Sequence, residues 1–213
     1  NIIKRSAVDV VEMLSNLQLN GKSFLIRFVE YAAATLLDGN VGPERKVTVI
    51  YLIGYLHNKI LTNDFLRQQI DKFVGQYLLP FLKVNNSVLL STTCEVLSIY
   101  LSKIELDKSS MESVVSELYN CLTSKLLVVR YKSILAFTAL LSHDQAVTIV
   151  KPHFSNILNI YIKILDELDH EKLLLSLQSM VSKFEEEISQ MGDKLIEHMI
   201  RMFTKYSVKK EPQ

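Results

Sequence analysis

The sequence predicts an all-α chain, a right-handed solenoid of antiparallel helix pairs, on three observations. Glycine and proline are scarce, 6 and 4 of 213 residues, about 5% against a usual ~12%; sandwiches, barrels and doubly wound sheets need more tight turns than that supply can build. Turn signals cut the chain into segments of ordinary helix length. Between the turns, apolar residues recur at helical spacing, in two templates that alternate along the chain.

The turn signals are Leu19-Asn20-Gly21, Asp38 to Pro43, Thr62-Asn63-Asp64, Asn85-Asn86-Ser87, Asp107-Lys108-Ser109, Ser142-His143-Asp144 and Asp169-His170. Asn63 or Asp64, Ser87, Ser109 and Asp144 are the expected N-caps, since their side-chain oxygens can accept from first-turn N–H groups. The first template, with offsets 0, 3, 4, 7 and 11, fits Leu25, Phe28, Val29, Ala32, Leu36; Ile70, Phe73, Val74, Tyr77, Phe81; Met111, Val114, Val115, Leu118, Leu122; and Phe154, Ile157, Leu158, Tyr161, Leu165. A fifth copy, Gly192, Leu195, Ile196, Met199, Phe203, departs only at its first place. The second, with offsets 0, 1, 4 and 7, fits Ala7, Val8, Val11, Leu14; Val49, Ile50, Ile53, Leu56; Thr93, Cys94, Leu97, Tyr100; Ser133, Ile134, Phe137, Leu140; and Leu173, Leu174, Leu177, Met180.

Copies of each template follow one another at about 38 to 45 residues, the period of two-helix HEAT-type repeats. Helices of the first template (A) are expected on the convex side and those of the second (B) on the concave side, each pair covering its neighbours' apolar faces. The order B, four A-B pairs, A gives a solenoid over residues 1–206, with units near 21–59, 63–104, 108–142 and 144–184 and half-units at 1–18 and 187–206. Residues 207–213 form a charged tail expected to fray. Unpaired helices at both ends would leave apolar faces uncovered, so the sequence reads as part of a longer array.

Composition excludes several classes. Hydrophobic residues are 48% and charged residues 22%, which is globular rather than disordered. Twenty-four Lys and Arg against 23 Asp and Glu leave a net charge of +1, so no global field draws nucleic acid or an anionic membrane. No apolar run approaches a membrane span, and no basic-then-apolar leader opens the chain. Cys94 and Cys121 lie in apolar periodic segments without disulfide or metal spacing and read as buried thiols of a reducing, intracellular compartment. The five histidines share no metal-ligand spacing, and no nucleophile turn or Gly-rich phosphate loop occurs. Neither an enzyme nor a cofactor is expected.

Val129-Arg130 followed by Ser133, Ala136, Phe137 and Leu140 is a HEAT-like signature. Beyond it, Arg45 to Leu56, Phe73 to Tyr100 and Val150 to Phe203 resemble the importin-β (karyopherin-β) family, in the branch of importins seven and eight and their fungal relatives. The last stretch, with IVKPHFSNILNIYIKIL and then LDHEKLLLSLQSMVSKFEEEISQMGDKLIEHM, is similar to the middle of those receptors in helix order and loop length. Leu90, where the equivalent column is otherwise basic, and Gln190, where the preceding A helix has Pro152, depart from the pattern. The resemblance implies a nuclear transport receptor moving between cytoplasm and nucleus through the pore. Such a receptor binds protein cargo on its concave face and Phe-Gly nucleoporins between convex A helices, and releases cargo on binding the GTPase Ran through repeats outside this segment. A HEAT scaffold or adaptor for another protein complex is the alternative.

Candidate sites follow from columns of the B template. Thr48, Thr92, Lys132 and Lys172 form a polar column expected to face a partner. Lys4, Lys46 and Arg130, with His170 in the same column, form a basic ladder that either binds acidic cargo or, as is usual in such arrays, pairs with a neighbouring repeat's acid or carbonyl. Gly54, Ser98, Thr138 and Gln178 are small or polar in every copy, a sign of close helix approach. Glu185, Glu186 and Glu187 either attract a basic cargo or favour the N-terminal dipole of the helix they open. The A-helix aromatics, among them Phe28, Phe73, Tyr77, Phe81, Phe154 and Tyr161, are expected in the core.

Overall fold

The structure, a computed structural model, describes residues 2–19, 22–168, 170–189 and the single positions 192, 196, 197, 200 and 204. It is an all-α solenoid. α1 (Ile2–Leu14) leads through a two-residue antiparallel ladder, Gln18–Leu19 against Lys22–Ser23, to α2 (Phe24–Leu37). The ladder flanks an Asn-Gly dipeptide, the residues most suited to a two-residue hairpin turn. α3 (Pro43–Tyr55) starts on a proline, whose fixed φ suits a first helical turn, and passes directly into the short α4 (His57–Thr62). α5 (Asp64–Arg67), α6 (Ile70–Phe73), a π-helical turn (Val74–Leu78) and a 3₁₀ turn (Leu79–Lys83) make the next A segment. α7 (Ser87–Tyr100), α8 (Lys108–Leu122) and α9 (Leu127–Leu140) follow. α10 (Asp144–Val150) and α11 (Phe154–Glu167) are separated by a 3₁₀ turn at Pro152, and α12 (Glu171–Lys183) and α13 (Glu185–Ser189) complete the described helices.

The B helices stack in sequence: α7 lies against both α3 and α9, and α9 against α12. Their buried faces repeat. Thr93, Val96, Leu97 and Tyr100 of α7 reappear forty residues on as Ser133, Ala136, Phe137 and Leu140, and again as Leu173, Ser176, Leu177 and Met180. One template position differs: Leu174 is 41% exposed where Cys94 and Ile134 are buried. Cys94 is covered by the following A helix, through Cys121; the segment in the equivalent place for Leu174 lies mostly outside the described residues. Among the A helices, the α8 and α11 templates are buried throughout, whereas in α2 Phe28 and Val29 are half-buried. In the fifth copy Ile196 is exposed, and Leu195, Met199 and Phe203 lie outside the described residues.

The A segment before α7 shows how a local backbone device resets a register. The template expects one helix with Tyr77 inward. Instead Ile70, Phe73 and Val74 are buried, then Leu78, Phe81 and Leu82, while Tyr77 is half-buried with its ring 5.2 Å from that of Phe73. Against the matching residues of α8 the spacing is 41 up to Val74 and 40 from Leu78 onward. The π turn absorbs the extra residue. Its cause is Pro80, which has no N–H to donate and whose ring would meet the carbonyl of Gln76 in a continuous α-helix.

Three caps are side-chain amides or carboxylates. Asn63 Oδ1 accepts from Leu66 N at 3.1 Å, Asn86 Oδ1 from Leu89 N at 2.9 Å, and Asp107 Oδ1 from Ser110 N at 3.0 Å. The expected caps Ser87 and Ser109 therefore sit inside their helices, where the preceding Asn or Asp reaches the orphan donor; Asp144 is the first residue of α10, behind His143.

Candidate protein-binding surfaces

Each pair of adjacent repeats is tied by polar contacts about one repeat apart. The Tyr100 hydroxyl donates to the Ile53 carbonyl at 2.9 Å, from α7 back to α3, and burial pushes its pKa up. Lys59 Nζ donates to the Glu12 carbonyl (2.9 Å), Ser15 Oγ (2.8 Å) and Asn16 Oδ1 (2.8 Å), satisfying the C-terminal end of α1. His143 Nε2 does the same at the end of α7, donating to the Leu101 carbonyl at 2.5 Å. Lys59, Lys103, His143 and Lys183 occupy one place at or just beyond the ends of successive B helices. That column is a signal in the sequence that the two B columns chosen above do not use.

The basic ladder does not form a continuous strip. Arg130 grips Glu167 of α11 with both ends of its guanidinium, Nη1–Oε1 2.8 Å and Nη2–Oε2 2.6 Å, its Nε buried without a partner. The hydrogen bonds hold the Glu167 carboxyl below its ordinary range and raise the Arg130 pKa. Lys46 lies with Nζ 5.7 Å from the Phe81 ring centroid, a cation–π geometry. The side chain of Lys4 lies outside the described residues. His170 caps α12, its Nδ1 accepting from Lys172 N at 3.2 Å, while its Nε2 meets the Tyr131 hydroxyl.

The polar column falls at matching places on α3, α7, α9 and α12, but its members differ in availability. Thr48 is exposed and donates back to the Glu44 carbonyl at 2.9 Å, and Thr92 is half-buried. Lys132 is held by Glu95 of α7 at 2.5 Å. Lys172 is exposed. The acidic run opens α13, and Lys151 spans Glu186 (2.8 Å) and Glu187 (3.1 Å), holding the Glu186 carboxyl below its ordinary range; Glu185 is exposed.

Gly54 sits at a close approach of α3 and α7: a Cβ there would meet Val96 Cγ2 at 2.6 Å. Among the described residues several grooves run along the stack, and three of them carry exposed large apolar side chains. One, about 420 Å³, lies between α1, α3 and α7 and carries Glu12, Tyr51, Tyr55, Lys59 and Glu95. A second, about 600 Å³, lies between α7, α9 and α12. The third, about 240 Å³, lies between α2 and α5–α6, lined by Ile26, Val29, Ala33, Phe65, Ile70 and Phe73 among others. The exposed Tyr51, Tyr55, Phe65 and Leu175 on these surfaces were not among the sequence candidates. Tyr51, Leu135 and Leu175 share one B-helix column, so periodicity that looks for outward apolar residues would find them. Among the described residues no group of His, Cys, Asp and Glu could hold a metal ion, and no helix is long and apolar enough to cross a membrane.

The chain is similar to human importin-8, at 23% identity over 186 residues, covering 86% of this chain and 18% of that protein. It is 22% identical to zebrafish importin-8 over 187 residues, with the same coverage. The resemblance to the importin-β family is borne out. A Saccharomyces cerevisiae protein, nonsense-mediated mRNA decay protein 5, is 23% identical over 200 residues, 88% of this chain and 19% of the yeast protein. The chain thus spans about a fifth of the length of the curated relatives it matches. No family model matches the chain, and no solved structure matches it significantly.

Proposed function

We propose that this chain is a non-catalytic segment of a nuclear transport receptor whose B-helix face, including Thr48, Thr92 and Lys172, holds protein cargo. The observation that carries the reading is the similarity to importin-8 along 86% of the chain, joined to a stack of B helices with two grooves between them. Large, distributed interfaces of this kind suit a curved repeat surface.

The apolar groove between α2 and α5–α6 fits the second partner class. Phe65, 51% exposed, lines it together with Ile70 and Phe73, and aromatic side chains pair favourably with an inserted phenylalanine ring. The groove therefore takes the Phe-Gly repeats of nucleoporins. Ran-GTP acts through repeats of the receptor that this chain does not span, and the protein moves between cytoplasm and nucleus by way of the pore. A pull-down of the full-length protein with Ran-GTP and with Phe-Gly peptides tests the reading. Binding to both is expected, with Phe65→Ser weakening the peptide. Binding to neither would leave a HEAT scaffold for another complex.

A further inference from the structure

We propose that the groove between α7, α9 and α12 docks an extended acidic segment of a protein partner, with two carboxylates about five residues apart and an apolar residue between them. The inference rests on the B-helix face being a protein-binding surface.

Charge comes first. Among the described residues, the only ionisable groups lining this groove are Lys172 and Lys183. Among the described residues neither meets an acid, whereas Lys132 on the same face is already held by Glu95 and the groove over α3 contains Glu12 and Glu95 beside Lys59. In a chain of net charge +1 this is a local concentration, not a general field. Spacing comes second. Lys172 and Lys183 are eleven positions apart on α12, three helical turns, so they project from one face roughly 16 Å apart. An extended peptide advances about 3.3 Å per residue, which sets carboxylates about five residues apart against them.

Between the lysines the surface is apolar: Leu175 is 58% exposed, beside Leu135 and Ala139. The hydroxyls along the rim supply the other half of the recognition. Ser98 Oγ donates to the Glu95 carbonyl (2.6 Å) and Thr138 Oγ1 to the Ile134 carbonyl (2.9 Å). With their protons engaged by their own helices, these two oxygens are left as acceptors for peptide N–H donors. Two cations this far apart would also leave a nucleic-acid backbone mostly unneutralised.

The test is fluorescence anisotropy of the full chain with a labelled twelve-residue peptide bearing two glutamates five positions apart and a central leucine. Saturable, salt-sensitive binding is expected. The exposed-site variant K172E/K183E should bind at least tenfold more weakly, K172Q/K183Q should lie between it and wild type, and Leu175→Ser should weaken binding without changing its salt dependence. A peptide with lysines in place of both glutamates should bind K172E/K183E better than wild type. Equal binding of the acidic peptide by wild type and K172E/K183E would overturn the assignment. So would a single-stranded RNA or anionic vesicles competing through the same lysines. Full-length protein that binds Ran-GTP and Phe-Gly peptides but ignores the acidic peptide loses this inference alone; the converse result loses the transport reading alone.

Discussion

Replacing Gly54 with alanine should destabilise the protein, although helix propensity argues the other way. Alanine in a helix interior is favoured over glycine by about 0.5–1 kcal/mol. Against that, the new Cβ would sit 2.6 Å from Val96 Cγ2, close to an ångström inside ordinary contact. Val96 is buried and β-branched, so its side chain has no alternative rotamer of similar energy, and α3 and α7 must separate. Overpacking of this kind costs about 1–3 kcal/mol. The net expectation is a loss of about 1–2 kcal/mol, or about 2–8 °C in Tm for a chain of this size. Urea unfolding of Gly54→Ala, Val96→Ala and the double variant separates the terms. Val96→Ala alone loses two buried methyls and leaves a cavity, about 2 kcal/mol. In the double variant the nearest remaining atom, Val96 Cβ, lies at 3.5 Å, an ordinary contact, so the pair should couple favourably by at least ~1 kcal/mol. A Gly54→Ala protein more stable than wild type, or a coupling within about 0.5 kcal/mol of zero, would refute the close approach of α3 and α7.

Three further outcomes follow from contacts between or within repeats. Tyr100→Phe removes a buried hydroxyl bonded to the Ile53 carbonyl and should cost about 1–2 kcal/mol in chemical denaturation; no loss would mean that the bond is not made in solution. Asn86→Ala should cost about 1 kcal/mol by removing the α7 cap, while Ser87→Ala stays within about 0.5 kcal/mol, an order that reversed caps would invert. Glu167→Gln breaks the pair with Arg130. Because Arg130 holds that carboxyl below its ordinary 4.5, the pair stabilises the fold above pH 4.5 and loses its effect as pH falls through the lowered value. Wild type should therefore exceed the variant in Tm at pH 7 and converge with it in acid; a constant difference down to pH 2 would refute the linkage.

The solenoid was legible because burial in a stacked helix imposes the same offsets in every repeat. The buried positions of α7, α9 and α12 differ by whole repeats, and residue type at those positions is enough to find them. Two kinds of feature were not legible from the apolar pattern. A π turn changes the register without changing hydrophobicity, so Leu78 and Tyr77 exchange roles while both remain plausible core residues; the signal is Pro80, ten residues into an otherwise regular pattern that begins at Ile70. Pairing is the second. Nothing in the column Thr48, Thr92, Lys132, Lys172 says that Lys132 is claimed by Glu95 while Lys172 stands clear, because the partner lies one repeat away and its reach depends on helix separation. The same ambiguity hid Glu186 and Glu187 behind Lys151.

The ties that could be located have a common length. Tyr100 to Ile53, Lys132 to Glu95, Arg130 to Glu167, His143 to Leu101 and Lys151 to Glu186 each join residues 35 to 47 apart, one repeat in either direction. Bonding of this range makes every interface a nearest-neighbour interface, and stability a sum of such terms. The α7–α9–α12 groove spans two of these interfaces, so its width is set jointly by the α7–α9 contact, braced by Lys132 and Glu95, and by the α9–α12 contact, where Tyr131 meets His170. A ligand that fills the groove must fit both spacings at once. A substitution at His170, which does not line the groove, should therefore alter its affinity for a peptide through helix spacing, a dependence that a flat charged patch would lack.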